Sequence, residues 1–263
     1  MRKRDILKCP VCSKKLIEDV NRFYCNNNHS FDKGKSGYIN LLLNQTNSGD
    51  NKIMVDARYQ ILEKGYYDNL LLGIIEVLKK YNINSLLDVG CGDGYYSTNI
   101  KRLLEINVVG MDVSKYACLK ASKRAKDILF VVASIFDMPF ENNEFEAILS
   151  NFTPHDEKEF KRVSKNYIIK VIPNKNHLIE LKELLYENVF LKEEKIPVFE
   201  SFRIVEEKDI KYKKIIDDAY SLIKMTPYFY KTKIEVENVE NVKIDVSMDF
   251  KVLVYKKIGE WCG

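Results

Sequence analysis

The sequence predicts an α/β protein that carries a small metal-binding module at its N-terminus. Short apolar segments alternate with helical patterns between residues 85 and 186, which is typical of a parallel sheet covered on both faces. A glycine-rich turn follows the first apolar segment, and a cluster of cysteines with one histidine precedes the whole pattern. These observations divide the chain into a metal-binding module over residues 1–36, a linker and helical lid segment over 37–80, and an α/β domain over 81–263.

Charge is distributed unevenly along the 263 residues, whose formal net charge is +4. Residues 1–40 contain nine Lys or Arg and four Asp or Glu, a net of +5, so the remainder carries −1. A basic module beside a near-neutral domain favours a polyanionic partner, and a solvated charged surface is the alternative. The richest apolar stretch, residues 70–78, is interrupted by Glu76. We therefore expect a cytoplasmic protein without a membrane partner.

The N-terminal cysteines follow the spacing Cys9-x2-Cys12-x12-Cys25-x3-His29. Each pair lies on its own turn, as zinc ligands do, and three thiolates with one imidazole would complete a tetrahedral site. Such a closed shell leaves no position for substrate, so we expect a structural zinc ion. A redox Cys-x-x-Cys or free thiols are the alternatives, but no thioredoxin-like helix follows the first pair.

The first elements are predicted from local patterns. Residues 17–24 are expected to form one short strand, and the polar residues 44–50 a loop. Apolar spacing from residue 52 to about 80 is helical, with an interruption at Gly65-Tyr-Tyr67.

The alternating region yields nine predicted elements. We expect strands at residues 85–89, 107–111, 129–133, 145–150 and 167–172, and helices at 95–104, 115–126, 156–164 and 177–186. After residue 200, strands at 202–206 and 251–255 flank a helix at 217–225, and a C-terminal hairpin is expected to close one edge of the sheet.

The glycine turn is the sharpest catalytic signal. Gly90, Gly92 and Gly94 lie between a predicted strand and a helix, where glycine permits positive φ and close approach of a ligand to the backbone. Asp112 ends the next strand, and a carboxylate there can accept hydrogen bonds from both ribose hydroxyls of a nucleoside cofactor. Tyr95 replaces the last glycine of the dinucleotide fingerprint. The pattern thus resembles the first motif of Rossmann-like S-adenosylmethionine methyltransferases, with a purely structural turn as the alternative.

Later loops supply further candidates. Ser134 follows the third strand and is expected near the adenine edge, although an ordinary surface loop is equally compatible. The segment after the fourth strand, Asn151-Phe-Thr-Pro154, is the expected place for the methyl acceptor. Asn151 could hold the edge of a base there, and His155 or Asp156 could take its proton.

Several stretches in order along the chain together resemble the ribosomal large-subunit (23S) RNA guanine-N1 methyltransferases of the RlmA type, a family that includes macrolide-resistance enzymes. They are the zinc-ligand spacing, the run from His29 to Leu42, Ala57-Arg58, Gly65-Tyr-Tyr67, Asp88 to Tyr96, Gly110 to Lys115, Val132-Ala-Ser134, His177 to Lys182 with Tyr186, and Met225-Thr-Pro227. The segment from Asn151 to Pro154 departs from the family's usual aromatic-small-Pro run.

The resemblance implies a Rossmann-like methyltransferase fold with a mainly parallel, seven-stranded sheet. It implies zinc held by Cys9, Cys12, Cys25 and His29, and S-adenosylmethionine contacted by Tyr67, Tyr95, Tyr96 and His177. The expected partner is ribosomal RNA, at a hairpin loop of the large subunit, and a homodimer is one expected assembly.

Basic and aromatic residues interleave in the module and could contact RNA phosphates and bases. They are Arg2, Lys3, Arg4, Lys8, Lys14, Lys15, Arg22, Lys33 and Lys35, with Phe23, Tyr24 and Phe31.

Two other functions remain open at this point. One is methylation of a small molecule, with a zinc module that is merely structural, and a salt-insensitive activity on a metabolite would favour it. The other is a non-catalytic RNA-binding protein with a degenerate cofactor fold, against which the intact glycine turn and Asp112 argue.

Overall fold

The computed structural model describes residues 6–44, 50–189, 195–230 and 242–259. The predicted polar loop therefore lies largely outside the described residues, as do Arg2, Lys3 and Arg4. Within the described ranges, no helix combines the length and apolar character that a membrane span requires.

The N-terminal head is a three-stranded antiparallel sheet of β1 (Ile17–Glu18), β2 (Arg22–Tyr24) and β3 (Ser30–Asp32). The single strand predicted over residues 17–24 is wrong, because a tight turn divides it. The Asp19 N–H donates to the Arg22 carbonyl (2.8 Å), and the Asp19 carboxylate accepts from the Val20 N–H (2.7 Å). This local bonding reverses the chain and pairs β1 with β2.

The segment between head and α/β domain contains one strand and two helices. β4 (Ile39–Asn40) is followed by α1 (Lys52–Glu63) and α2 (Asp68–Lys80). The side chain of Asn51 caps α1 by accepting from the Met54 N–H, and Gly65, at φ 72°, allows the break between the helices. The interruption predicted at residues 65–67 is confirmed.

The α/β domain follows the predicted alternation. Its elements are β5 (Ser85–Val89), α3 (Tyr95–Leu104), β6 (Asn107–Asp112), α4 (Lys115–Arg124), β7 (Leu129–Val132), β8 (Phe145–Asn151), α5 (Glu157–Val163), β9 (Ser164–Pro173), α6 (Ile179–Leu185), β10 (Phe202–Ile216), α7 (Ala219–Lys224) and β11 (Ile244–Lys257), with a 3-10 helix at Pro227–Tyr230.

Among the described residues, eight strands form the main sheet in the order β10-β11-β9-β8-β5-β6-β7-β4. The pairs from β9 to β4 are parallel, whereas β11 pairs antiparallel with both β9 and β10. The hairpin expected at one edge is therefore confirmed, and its strands are far longer than the sequence pattern predicted. β4 adds an eighth strand to the seven predicted, since Ile39 and Asn40 pair with β7.

The sheet buries a core on each face. Leu86 of β5 packs on the face covered by α2, α3 and α6, whereas Leu87 packs on the opposite face with α5. The head joins this second core, because Leu16 and Phe23 belong to the same buried cluster as Phe140. A strand whose side chains point alternately to two covered faces has an almost continuously apolar sequence, which explains the apolar residues of β5.

Candidate metal centre and cofactor site

Two turns of the head bring the predicted zinc ligands together. The ligand atoms of Cys9, Cys12, Cys25 and His29 all lie within 4.8 Å of one another. His29 Nδ1 is 3.5 Å from Sγ of both Cys9 and Cys25, and Cys12 Sγ is 3.6 Å from Cys25 Sγ. Three sulfurs and one imidazole nitrogen are the donors that zinc prefers, so the residues present fit the metal.

The electrostatics of one ligand favour metal binding. Burial opposes ionisation of Cys25, but the N–H groups of Asn27 and His29, with hydrogen bonds from the Cys12 and His29 side chains, outweigh it and lower the pKa of this thiol to about 6. Because the thiolate is the form that binds zinc, the turn prepares Cys25 for coordination.

The glycine turn connects β5 to α3 in the predicted geometry. Gly90 has φ 70° and Gly92 has φ 55°, both in the left-handed region that favours glycine. The N–H groups of Gly90 and Cys91 donate to the Met111 carbonyl at 2.7 and 3.0 Å, which ties the turn to β6. Cys91 is buried, and burial raises the pKa of its thiol, so it packs against the turn as a neutral side chain.

Asp112 lies at the end of β6 directly beside this turn. Its Oδ2 accepts from the Gly92 N–H (2.9 Å) and its Oδ1 from the Ser114 N–H (2.8 Å), while burial raises the pKa of the carboxyl group. Among the described residues, a Cβ added at Gly92 would have one heavy atom within 4 Å, Arg58 Nη1 at 3.9 Å. Open space thus lies over Gly92, beside the carboxylate that is positioned to accept from the ribose hydroxyls of a nucleoside cofactor.

Tyr96 and Asn151 present unsatisfied polar atoms near the turn. The Tyr96 hydroxyl faces the Asn151 side chain, and burial raises the pKa of that hydroxyl. Neither this hydroxyl nor Asn151 Oδ1 forms a hydrogen bond of ordinary geometry to a described residue, although both atoms are buried. Buried polar atoms of proteins are normally paired, so these two facing groups can pair with each other or, after a small shift of the side chains, with a ligand.

The other predicted tyrosines are engaged in packing. Tyr95 donates its hydroxyl to Asp68, and its ring lies edge-on to Tyr96 with centroids 5.2 Å apart. Tyr67 is buried at the start of α2, where its ring lies 5.8 Å from that of Phe250. Cofactor contacts of Tyr67 and Tyr95 stay predictions.

His177 lies in an aromatic cluster at the carboxyl end of β9. Its ring centroid is 4.5 Å from Phe250 and 6.3 Å from Phe152, the latter ring being nearly parallel. Its Nδ1 accepts from the Asp249 N–H (3.4 Å). Burial, with a smaller contribution from Lys182, lowers the pKa of His177 to about 3. The ring is therefore neutral at physiological pH.

Ser134 follows β7 at the carboxyl edge of the sheet, the edge on which the glycine turn also lies. Its Oγ accepts from the Phe136 N–H (3.2 Å), and Ser134 forms an isolated bridge with Asp137. The side chain thus shapes this loop, and its contact with adenine stays a prediction.

Comparisons with known proteins agree with this geometry. The family model for the RlmA N-terminal zinc ribbon matches residues 7–48, and a methyltransferase-domain model matches residues 86–168. The protein YxjB of Bacillus subtilis (strain 168), which bears the name of a 23S rRNA (guanine-N1)-methyltransferase, is 30% identical over 197 residues, 69% of each chain. The chain belongs to the 23S rRNA (guanine-N1)-methyltransferase family.

A second member of this 23S rRNA methyltransferase family is similar over the same extent. The Streptomyces fradiae 23S rRNA (guanine(748)-N1)-methyltransferase is 27% identical over 188 residues, covering 68% of this chain and 67% of that one. A solved structure described as "Conversion of a Disulfide Bond into a Thioacetal Group during Echinomycin Biosynthesis" shares the fold, with TM-score 0.50 and 15% identity over 72% of this chain and 83% of that chain. The protein is thus an S-adenosylmethionine-dependent methyltransferase that carries a zinc ribbon.

The family assignment gives meaning to the loop after β8, whose buried lysine the sequence analysis missed. Lys170 is only 4% exposed, and its Nζ donates to Ser150 Oγ (3.0 Å) and to the Thr153 carbonyl. A single lysine within the apolar run of β9 was the available signal. Arg58, which the sequence analysis named only within the family resemblance, pairs with Asp50, donates to the Met225 carbonyl (3.2 Å) and borders the glycine turn.

The two proton acceptors suggested by the sequence differ in availability. Asp156 caps α5 by accepting from the Glu159 N–H (2.9 Å), so its carboxylate is already engaged. His155 is exposed and contacts Phe199 edge-on at 5.1 Å, and partial burial together with Lys170 lowers its pKa. A neutral imidazole can accept a proton, which favours His155 over Asp156.

Proposed function

We propose that this protein transfers a methyl group from S-adenosylmethionine to N1 of a guanine in large-subunit ribosomal RNA. The activities named for its relatives support this reaction and substrate. The observation that carries most weight is the arrangement of Asp112, Tyr96 and Asn151. The Asp112 carboxylate accepts from the Gly92 N–H at the glycine turn, and the buried Tyr96 hydroxyl and Asn151 Oδ1 face each other nearby without an ordinary hydrogen bond to a described residue.

We assign the cofactor site to the predicted residues. Gly90 and Gly92 would let the backbone approach the cofactor, and Asp112 would accept hydrogen bonds from the ribose hydroxyls. The Tyr96 hydroxyl would form a hydrogen bond with the cofactor, and the neutral His177 ring would face the methionine end of the cofactor. Tyr67, Tyr95 and Ser134 complete the proposed set as residues that border it.

We assign the zinc ion to Cys9, Cys12, Cys25 and His29 in a closed tetrahedral site. Because all four positions are protein atoms, the metal would stabilise the head rather than take part in methyl transfer.

In the proposed reaction the cofactor supplies an activated methyl group on a sulfonium ion. The protein must hold guanine N1 in line with that methyl group and exclude water. Guanine N1 carries a proton at neutral pH, which must leave as the N1–C bond forms. Asn151 Oδ1 would orient the base edge by accepting from the exocyclic N2 amino group, and His155 would receive the N1 proton, directly or through water.

The basic head would supply contacts to RNA phosphates. Lys14 and Lys35 are exposed, whereas Lys33 is held by Glu18 and the Asp19 carbonyl. We propose a hairpin loop as the RNA element, because its unpaired bases can leave the stack. A ribosomal substrate implies a cytoplasmic enzyme, and sedimentation would test the expected homodimer.

The direct test is mass mapping of ribosomal RNA from cells with and without the gene. We expect one additional methyl group on a large-subunit guanine, which also stops primer extension because N1 lies on the base-pairing edge. Unchanged ribosomal RNA would reject the proposed substrate. Salt-insensitive methylation of a metabolite by the same preparation would then favour the small-molecule enzyme.

Asn151 provides a test of the acceptor site. Asn151→Ala should lower the turnover number by about 10- to 1,000-fold, because a positioned amide is lost near the reacting atom. Calorimetric affinity for S-adenosylmethionine should stay close to that of the parent protein. Wild-type turnover in Asn151→Ala would remove this residue from the mechanism.

A further inference from the structure

Phe152 has an unusual backbone conformation. Its φ of 54° lies in the left-handed region, which disfavours residues that carry a Cβ. The surrounding structure holds it there, since the Phe152 N–H donates to the Val171 carbonyl (3.2 Å) and Lys170 fixes the Thr153 carbonyl. Backbone strain of this kind is often found at functional sites, although other residues of this chain share it.

The side chain of Phe152 is packed on one side and accessible on the other. Its ring centroid is 5.6 Å from Phe250, which is fully buried, and its plane lies 10° from that of His177. Nevertheless, 45% of Phe152 is exposed. The aromatic floor beneath the ring fixes its orientation, while the exposed surface remains free to contact a ligand.

Phe152 also lies at the reacting end of the proposed cofactor site. The preceding residue is Asn151, whose Oδ1 is buried without a hydrogen bond to a described residue. The following residue, Thr153, packs directly on the glycine turn, because a Cβ at Gly90 would lie 2.1 Å from Thr153 Oγ1. One short loop therefore joins a hydrogen-bond acceptor, an exposed aromatic ring and the cofactor turn.

We propose that Phe152 is the stacking platform for the target base, which leaves the RNA stack and lies against the exposed part of the ring. This inference rests on the proposed function, and it names the contact that selects a flipped-out purine. A base requires a flat apolar surface for its face and polar partners for its edge. Phe152 supplies the flat apolar surface, and Asn151 supplies a polar partner for the edge of the base.

The test uses full-length zinc-loaded protein and a transcript of the ribosomal RNA segment whose guanine the parent protein methylates. Phe152→Ala should lower kcat/KM about 10- to 100-fold, because stacking on one aromatic ring contributes that much to binding of a base. Phe152→Tyr should retain most activity, whereas Phe152→Leu, which keeps apolar volume without a π face, should not. Calorimetry with S-adenosylhomocysteine checks that each variant retains the folded cofactor site.

A second RNA makes the readout specific to stacking. In this RNA the target nucleotide is abasic. The affinity of each protein variant for the abasic RNA is compared with its affinity for the intact transcript. The parent protein should bind the abasic RNA more weakly, whereas Phe152→Ala should bind both equally, because the contact is already lost. Phe136→Ala, which removes another exposed phenylalanine, should keep the preference for the intact base.

The outcomes separate the two proposals. If the parent protein methylates no guanine of ribosomal RNA, the proposed function fails. If it does methylate one, and Phe152→Ala still discriminates between intact and abasic RNA as the parent does, the stacking inference is wrong. If Phe152 instead contacts a protein partner, Phe152→Ala would likewise still discriminate between intact and abasic RNA.

Discussion

The zinc head and the main sheet are two regions of one chain that depend on different sources of stability. The strands of the head contain only two or three residues each, and its two turns converge on one set of metal ligands. The main sheet has eight strands among the described residues and buries apolar side chains on both faces. Small modules cannot bury enough apolar area, so a metal must replace part of the core.

The two regions nevertheless share a boundary that is not a flexible joint. Leu7 and Phe140 form an isolated bridge, the Lys8 N–H donates to the Pro139 carbonyl (2.9 Å), and Leu16 packs in the same buried cluster. The head thus contributes side chains to the core of the α/β domain. Loss of the metal is expected to loosen the loop that follows Ser134, while the glycine turn remains supported by β5 and β6.

The largest expected effect comes from removing a zinc ligand. Cys12→Ser should reduce bound zinc from about one ion per chain to none, because the fourth ligand is lost from a closed site. RNA binding should fall strongly, whereas affinity for S-adenosylmethionine should change little. Atomic absorption and calorimetry measure the two properties separately. Cys118→Ala, at a buried cysteine of the α/β domain, should keep its zinc, and a fully metallated Cys12→Ser would contradict the assignment.

A matched pair of glycine substitutions probes the sheet instead of the head. Gly90→Ala should destabilise the fold by roughly 2–4 kcal/mol, since it adds left-handed strain and a clash with Thr153. Gly92→Ala meets open space, so only about 1–2 kcal/mol of strain is expected, although both variants should lose cofactor binding. Urea unfolding and calorimetry distinguish the two effects.

Thr153→Ala provides the control for this pair, because it removes the two nearest clashing atoms and should recover part of the stability lost in Gly90→Ala. Equal stabilities of the Gly90→Ala and Gly92→Ala variants would contradict the packing described here.

A moderate effect is expected from the buried carboxyl group of β5. Burial raises the pKa of Asp88 to about 7, so the folded protein retains this proton at pH values where the unfolded chain has lost it. Stability should therefore fall as the pH rises from about 4 to about 7. Asp88→Asn lacks this titrating group, so its stability should not show this decrease. The free energy of unfolding of Asp88→Asn minus that of the parent should be about 2–3 kcal/mol larger at pH 8 than at pH 5.

Ser97 sharpens this prediction, because its hydroxyl donates to Asp88 Oδ2 (2.5 Å) and favours the ionised form. Ser97→Ala should extend the decrease to higher pH in denaturation experiments, because it raises only the pKa of the folded state. A parent stability that is flat across this range, relative to Asp88→Asn, would show that Asp88 titrates normally.

The smallest effects concern the charge of the head. Lys14→Ala and Lys35→Ala should each reduce the slope of log affinity for RNA against log salt concentration by about one, as expected for loss of one phosphate contact. Fluorescence anisotropy at several salt concentrations measures this slope. Lys211→Ala, on β10 at the opposite edge of the sheet from β4, should leave it unchanged. If all three variants behave alike, the head does not bind the phosphates.

The sequence by itself determined the features whose causes are local. Spacing placed Cys9, Cys12, Cys25 and His29 on two turns, and glycine with apolar periodicity located β5, the turn and α3 at the residues observed. Parallel strand order then required Asp112 to lie beside Gly92, as it does. These predictions succeed because turn chemistry, ligand spacing and strand periodicity depend on residues close together in the chain.

Only the tertiary structure decided which side chains meet across long distances in sequence. β4 joins β7, Lys170 supports the loop of Asn151 and Phe152, and the head shares a core with Phe140. Each contact joins segments whose local patterns permit several partners, and the full packing of the sheet selects one of them. Phenylalanine is among the residue types most often buried. That Phe152 is exposed therefore became visible only in the folded chain, for the same physical reason.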